Sequence, residues 1–382
     1  MSVIDLPVSL GEALDKLTIL DIKREKIKDD RLKDVEYEYN LLYEKLKEHI
    51  NTNNYYYSIL KKINLNIWEM QDDFRYNNKN KNHLCLAIIE ENDRRFRIKK
   101  KINDTTNSDV KEQKGYKLKK AFVLSHLGLG DNITALGMVR YLSTCYDEIV
   151  VVSTNQHKKN VELFYQDDSS ITVHAVENDK TIPILSGHIE DFPEFEKYTK
   201  KYSRYLLGCY NLENKFIEKN LPYTFYEQVN INPVFFWEYF YIPTIDGSLK
   251  LYDEVKNTDY VFVHNTSSTG IVFNIKLVEE KLNLDRNEIL FINPNINCYE
   301  EEHKFFELAQ KFIGFKLSYY VEIIKNSQYN IMADSSFMCL SLNLEINNDN
   351  NYYCSRGTDY SKLYSDKYFE NNPKKKKFKN FK

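Results

Sequence analysis

The residues best suited to chemistry in this chain lie in the stretch SHLGLGDNITALGMVRYL, residues 125–142. Gly128 and Gly130 fall where an apolar run ends and a helical pattern begins. Glycine there permits positive φ and close approach of a ligand to the backbone. The helix that follows offers free N–H groups and partial positive charge at its start, which suits an anion. Asp131 has two readings on local physics: a cap of that helix, or a general base that takes a proton from an acceptor hydroxyl. Asn132 completes the turn. The spacing excludes two phosphate motifs. GxGxxG would need glycine where Ile133 stands, and no GKS or GKT occurs anywhere.

Two further stretches fall at predicted strand ends. In YVFVHNTSS, residues 260–268, His264 ends a strand-like run and Ser267 sits in the loop after it. In NIMADSSFMCLSLNL, residues 330–344, Asp334, Ser335 and Ser336 open a helix. Hydroxyls and free N–H groups there suit a diphosphate, or simply cap the helix. No metal site is expected, because the chain has no D-x-D triplet and its histidines show no HxxxH or HxxEH spacing. The adjacent pairs Asp72–Asp73 and Asp167–Asp168 read as solvated faces or caps.

These groups need a scaffold, and composition allows a large one. The chain has 382 residues, 42% hydrophobic and 14% aromatic, enough core for two or three domains. A net charge of −3 gives no global basic field, so no nucleic-acid partner is expected. The tail PKKKKFKNFK is the one strong local bias, and Lys374–Lys377 read as a solvated terminus or a weak contact to an anionic surface. Six scattered cysteines without CxxC predict reduced thiols. The N-terminus lacks a signal-peptide pattern, and no apolar run nears the ~20 residues of a membrane span. A cytoplasmic protein without a transmembrane segment is the expectation.

Hydrophobic periodicity divides the chain. Residues 1–103 read as a helical accessory domain of three or four packed helices, opening with Ser9 and Glu12 at capping-box spacing. Glu12, Asp15, Asp72, Asp73, Asn92, Asp93, Arg94 and Arg95 are expected to form a charged cluster between those helices. Residues 104–117 are polar and aperiodic and read as a linker. From 118 the pattern alternates between short apolar runs and helical segments, with a helix over ITALGMVRYLSTC and a strand in TIPILSG. The alternation restarts near 258, after the aromatic-rich segment 223–243. The predicted fold class is therefore α/β, two Rossmann-like lobes at 118–245 and 246–370 behind an all-α domain, with a basic tail at 371–382.

LGLGDNITALGMVRYL, together with the DSS and HNTSS segments, resembles GT-B glycosyltransferases of the heptosyltransferase-like kind, over roughly residues 118–370. That resemblance implies a metal-independent transfer of a sugar, hexosyl or heptosyl, from a nucleotide-sugar donor to a glycan or glycoconjugate acceptor. No cofactor is implied. It places Asp131 as general base, Gly128, Gly130 and Asn132 in the acceptor turn, and His264, Ser267, Asp334, Ser335 and Ser336 at the donor. Two departures stand out. Gly137 occupies a position that is often Pro, and no cation flanks HNTSS, Arg356 being the nearest candidate.

PVSLGEALDKLTILDIKREKI, IWEMQDDFR and ENDRRFRIKKKIN resemble a small helical domain of uncharacterised function found near bacterial polysaccharide genes. It implies context, with partner docking or self-association through helices 9–103, but no chemistry. The alternative to an enzyme is a GT-B-like binding or scaffold protein acting through those helices. An NAD-linked oxidoreductase would need the GxGxxG that Ile133 breaks and a Tyr-x-x-x-Lys pair that no suitable helix carries.

Overall fold

The computed structural model describes residues 6–77, 81–115, 117–177, 193–208, 221–267, 270, 272–355, 363, 368–373 and 378–381. Arg356, Lys374–Lys377, Cys209, Ser268 and the strand expected in TIPILSG lie outside the described residues. The protein is mixed α/β, an N-terminal helical region followed by parallel-sheet elements. The chain divides into two compact units, residues 1–121 with 141–149 and 167–171, and residues 122–140 with 150–166 and 172–382.

The first unit is built on α1 (Leu10–Lys26), α2 (Leu32–Thr52), α3 (Asn54–Tyr76) and α4 (Lys81–Thr105). Leu14, Leu17 and Leu20 of α1 recur at helical spacing and are buried, as are Ile59, Leu60, Ile63 and Ile67 of α3. The Ser9 hydroxyl accepts the Glu12 N–H at 3.2 Å and starts α1. Only half of the expected capping box forms, because the Glu12 carboxylate pairs with Lys99 at 2.7 Å.

Of the expected charged cluster, Glu12, Asp15 and Arg95 lie within electrostatic reach of one another around Lys99, while the other members find separate partners. Asp93 pairs with Lys114 at 3.0 Å, Arg94 with Glu91, and Asp72 with Arg75 at 3.6 Å on the surface. Asp73 accepts from Asn77, and Asn92 donates to the Ile88 carbonyl. Asp15 alone is buried, accepting from Asn64 at 2.8 Å, and its burial raises the carboxyl pKa.

Asp168 overturns the expectation of a solvated acidic pair. Its side chain is 0% exposed and bonds Lys101 at 2.6 Å, while Asp167 accepts from Tyr56 at 2.6 Å. Ser170 bridges the buried pair, accepting from Lys101 and donating to Asp168. Arg97 holds Asp147 in the same way at 2.9 Å. Strand-flanking segments are thus tied to α3 and α4 by ion pairs and hydrogen bonds.

Two sheets follow, with most of their residues in the second unit. The first has the order β3-β2-β1-β4, from β1 (Lys120–Leu124), β2 (Glu148–Thr154), β3 (Ile171–Val176) and β4 (Ser203–Leu206). Between them run α5 (Leu129–Thr134), α6 (Leu136–Cys145), α7 (Lys158–Phe164) and α8 (Glu196–Thr199), followed by α9 (Leu221–Glu227), α10 (Phe235–Glu238) and α11 (Asp246–Asp253). Phe122, Leu124, Val150, Val152, Val176 and Phe195 form the core beneath this sheet.

One helix was expected over 133–145, and the structure breaks it at Ala135. The Tyr226 hydroxyl accepts the Met138 N–H at 2.9 Å and donates to the Thr134 carbonyl at 3.1 Å. It inserts into the bond those two groups would make in a continuous helix, a recognised cause of kinks. Gly137 belongs to the same joint. A Cβ there would lie 2.3 Å from the Phe235 carbonyl oxygen, so glycine is required by close backbone approach.

The second sheet is parallel throughout, in the order β6-β5-β7-β8-β9. Its strands are β5 (Tyr260–His264), β6 (Leu290–Ile292), β7 (Tyr329–Ala333), β8 (Asn351–Cys354) and β9 (Lys379–Asn380). The intervening helices are α12 (Ile275–Leu282), α13 (Phe306–Gln310), α14 (Val321–Asn326) and α15 (Ser336–Ser341). Every residue of β5 and β6 is buried, as expected of strands covered on both faces. Among the described residues no helix is long and apolar enough to cross a membrane.

Candidate functional site

In an open parallel sheet, ligands bind outside the carboxyl ends of the strands, where successive connections diverge. The order β3-β2-β1-β4 puts that point between β1 and β4, and the order β6-β5-β7-β8-β9 puts it between β5 and β7. The residues singled out by chemistry cluster at these two places.

At the first, the ends of β1 and β4 lie side by side, the Leu207 N–H donating to the Leu124 carbonyl at 2.9 Å. His126, two residues past β1, reaches across to Gly208, two residues past β4. A Cβ on Gly208 would lie 2.2 Å from His126 Nε2, and Gly208 itself has φ +70°. Both facts demand glycine. The Gln228 side-chain carbonyl accepts the Gly208 N–H at 2.6 Å, and Phe225 meets the His126 ring edge-on at 5.6 Å. His126 Nδ1 lies 3.9 Å from Asp131 Oδ1, and the Asp131 side chain is 23% exposed.

The GxG glycines do not act through positive φ. Gly128 caps α5 in an ordinary extended conformation, φ −64° and ψ 148°. What it provides is space, since a Cβ would lie 2.6 Å from Asp131 Oδ2. Gly130 lies inside α5, where a Cβ would lie 3.3 Å from Cys339 Sγ and 3.8 Å from Ser336 Cα. Glycine therefore lets α5 and α15 pack backbone to backbone. Asn132 is 1% exposed, and its side-chain N–H donates to the Gly128 carbonyl at 3.1 Å, so it shapes the turn from within.

At the second place, His264 ends β5 and Ser335 follows β7. Ser335 Oγ lies 3.0 Å from His264 Nδ1, and the Phe337 ring packs at 4.5 Å from the imidazole. Ser335 stands at the N-cap of α15, yet its hydroxyl makes no capping bond. Asp334 is 3% exposed with its N–H held by the Cys354 carbonyl at 3.0 Å. Ser336 is half-buried against Gly130. Ser267 is half-buried in the loop beyond β5, its carbonyl accepting from Gly270.

The two groups thus meet through α5 and α15. The structure joins Asp131 to His126 and His264 to Ser335, and it leaves Asn132 and Asp334 in the interior. The sequence reading missed His126, Gly208 and Gln228. A histidine placed directly after the apolar run AFVLS was the available signal. Gly208 and Gln228 carried none, since only tertiary packing brings them to the turn. Among the described residues no three His, Cys, Asp or Glu side chains converge as a cation would require.

Burial lowers the His264 pKa to about 4, with no neighbouring charge contributing. The unfolded chain takes that proton near pH ~6.5, so between those values the unfolded state binds more protons. Stability from this group is full above about pH 6.5 and is lost as pH falls towards 4, a change of about 3 kcal/mol. The stability difference between wild type and His264→Gln, measured by urea unfolding at pH 7 and pH 4, is expected to shrink by about that amount. A difference constant across that range would mean that His264 protonates freely in the folded chain.

Residues 4–126 match a family of unknown function (DUF6165), a span that takes in the helical region and ends at His126. No curated protein and no solved structure matches the chain.

Proposed function

We propose that the protein is a metal-independent glycosyltransferase of GT-B-like organisation, moving a sugar from a nucleotide-sugar donor to a hydroxyl-bearing acceptor. The observation that carries this reading is the coincidence of two switch points. One bears a carboxylate beside a histidine, the other a histidine beside a serine, and α5 and α15 pack their turns together. In this reading Asp131 takes the acceptor hydroxyl's proton as that oxygen bonds to the anomeric carbon of the sugar and the bond from that carbon to the diphosphate breaks. His264, held by Ser335, meets the departing diphosphate. The helical region serves as an accessory module.

The test is thermal unfolding of the full chain against UDP, GDP, ADP, CMP, dTDP and NADH, followed by assay of nucleotide release from the matching sugar donors. A ligand at 100 times its Kd stabilises by about 2.7 kcal/mol. The corresponding midpoint shift is roughly 5–10 °C for a unit of this size. One nucleoside diphosphate alone is expected to give it.

A second reading is favoured by one feature, that no Lys or Arg lies between Asp259 and Ile275 to neutralise a phosphate beside His264. A binding or scaffold protein of the same fold would bind glycan or protein without consuming a sugar nucleotide. No shift with any nucleotide would select it.

A further inference from the structure

The contact between Ser335 and His264 joins two residues that have few other choices. His264 is 7% exposed, one ring face is occupied by Phe337, and Nδ1 is taken by the serine. Its other ring nitrogen, Nε2, has no partner among the described residues. The Ser335 hydroxyl likewise bonds nothing else among them, since it does not cap α15.

A hydroxyl has one proton to give, and neutral imidazole has one nitrogen that donates and one that accepts. Were Nδ1 protonated, Ser335 would accept from it, and the serine proton would have no acceptor in a half-buried turn. Nε2 would then be a bare acceptor. With Ser335 donating to Nδ1, the serine proton and Nδ1 are both paired, the ring proton must sit on Nε2, and only that N–H is left open to a ligand. Such a bond on one ring nitrogen is what sets the state of the other.

We infer that Ser335 is a positioning residue that locks His264 into the Nε2–H tautomer, so that the crevice between β5 and β7 presents one fixed, uncharged N–H donor to a phosphate oxygen. The choice of phosphate rests on the transferase reading; the tautomer does not. A neutral donor aimed at an oxygen that gains charge as the sugar leaves stabilises that charge without reorganising. It also keeps working at pH values where an ordinary imidazolium would have lost its proton. His264-dependent binding of a diphosphate is therefore flat between pH 5.5 and 8.

The experiment uses the full chain with 15N-labelled histidine. Long-range 1H–15N correlation spectra are recorded with and without UDP, GDP, ADP and inorganic pyrophosphate, and His264 is assigned through His264→Gln. In the wild type, His264 is expected to show a protonated Nε2 and a bare Nδ1 from pH 5.5 to 8. Ser335→Ala should mix the tautomers and weaken diphosphate binding by about tenfold, and Ser335→Thr should restore both.

A protonated Nδ1 in the wild type, or an unchanged tautomer in Ser335→Ala, overturns the inference. A diphosphate that binds without moving the Nε2 resonance overturns the phosphate assignment and leaves the transferase reading intact. The Nε2–H tautomer with no binding of any probe overturns the transferase reading and upholds the lock. Pyrophosphate binding as tightly as the nucleotides would show a site for free phosphate chemistry in place of a sugar nucleotide and would overturn the diphosphate-donor role.

Discussion

Asp131→Asn is expected to lower the rate of sugar transfer by roughly 10²–10⁴-fold, the usual contribution of a general base. Nucleotide affinity and the thermal midpoint should stay near wild type. The substitution keeps the shape of the side chain, which matters because the carboxylate is wedged against Gly128 with no room for a Cβ between them. It removes the proton acceptor and the charge that faces His126 at 3.9 Å. The alternative role, a negative charge in the first turn of α5, makes the opposite prediction. A six-residue helix that lost that charge near its N-terminus would shed roughly 0.3–1 kcal/mol, with little change in turnover at saturating substrate. Initial rates of nucleotide release and thermal unfolding on one preparation separate the two. Full activity in the asparagine variant would end the catalytic assignment.

The largest stability effect is expected at Lys101. Lys101→Met leaves the Asp168 carboxylate, 0% exposed, without its 2.6 Å partner. Breaking a buried pair from one side costs about 3–5 kcal/mol, because the remaining charge is neither solvated nor compensated. Ser170 softens this only in part, since its one proton is already given to Asp168. Replacing both members, Lys101→Met with Asp168→Leu, removes the stranded charge and should recover most of the loss. Urea unfolding of the four variants completes a double-mutant cycle. A single variant within ~0.5 kcal/mol of wild type would place the pair in water and not in the core.

The same pair shows which contacts a sequence leaves unread. Apolar spacing in α1 and α3 is a local signal, so a helical region of three or four helices could be read from residues such as Leu14, Leu17, Leu60 and Ile63. Partners such as Lys101 and Asp168, or Arg97 and Asp147, lie 67 and 50 residues apart. Nothing in QDDSS distinguishes a solvated pair of aspartates from one that folds under a lysine. The helix break at Ala135 has the same origin, since Tyr226 lies 92 residues from the carbonyl it intercepts.

At the candidate site, residue types at predicted strand ends pointed to the turn with Asp131, and the resemblance to GT-B glycosyltransferases added His264 and the serines. That much the sequence determined: the alternation, the strand ends, and the chemistry each end can offer. The tertiary structure decided the rest. Strand order is a choice among topologies that share one local pattern, and it is the order that sets His126 over Gly208 and His264 beside Ser335. It decided too that Gly128 and Gly130 are small for packing and not for φ. A glycine's reason depends on what lies across from it, and that neighbour is supplied by a segment far away in the chain.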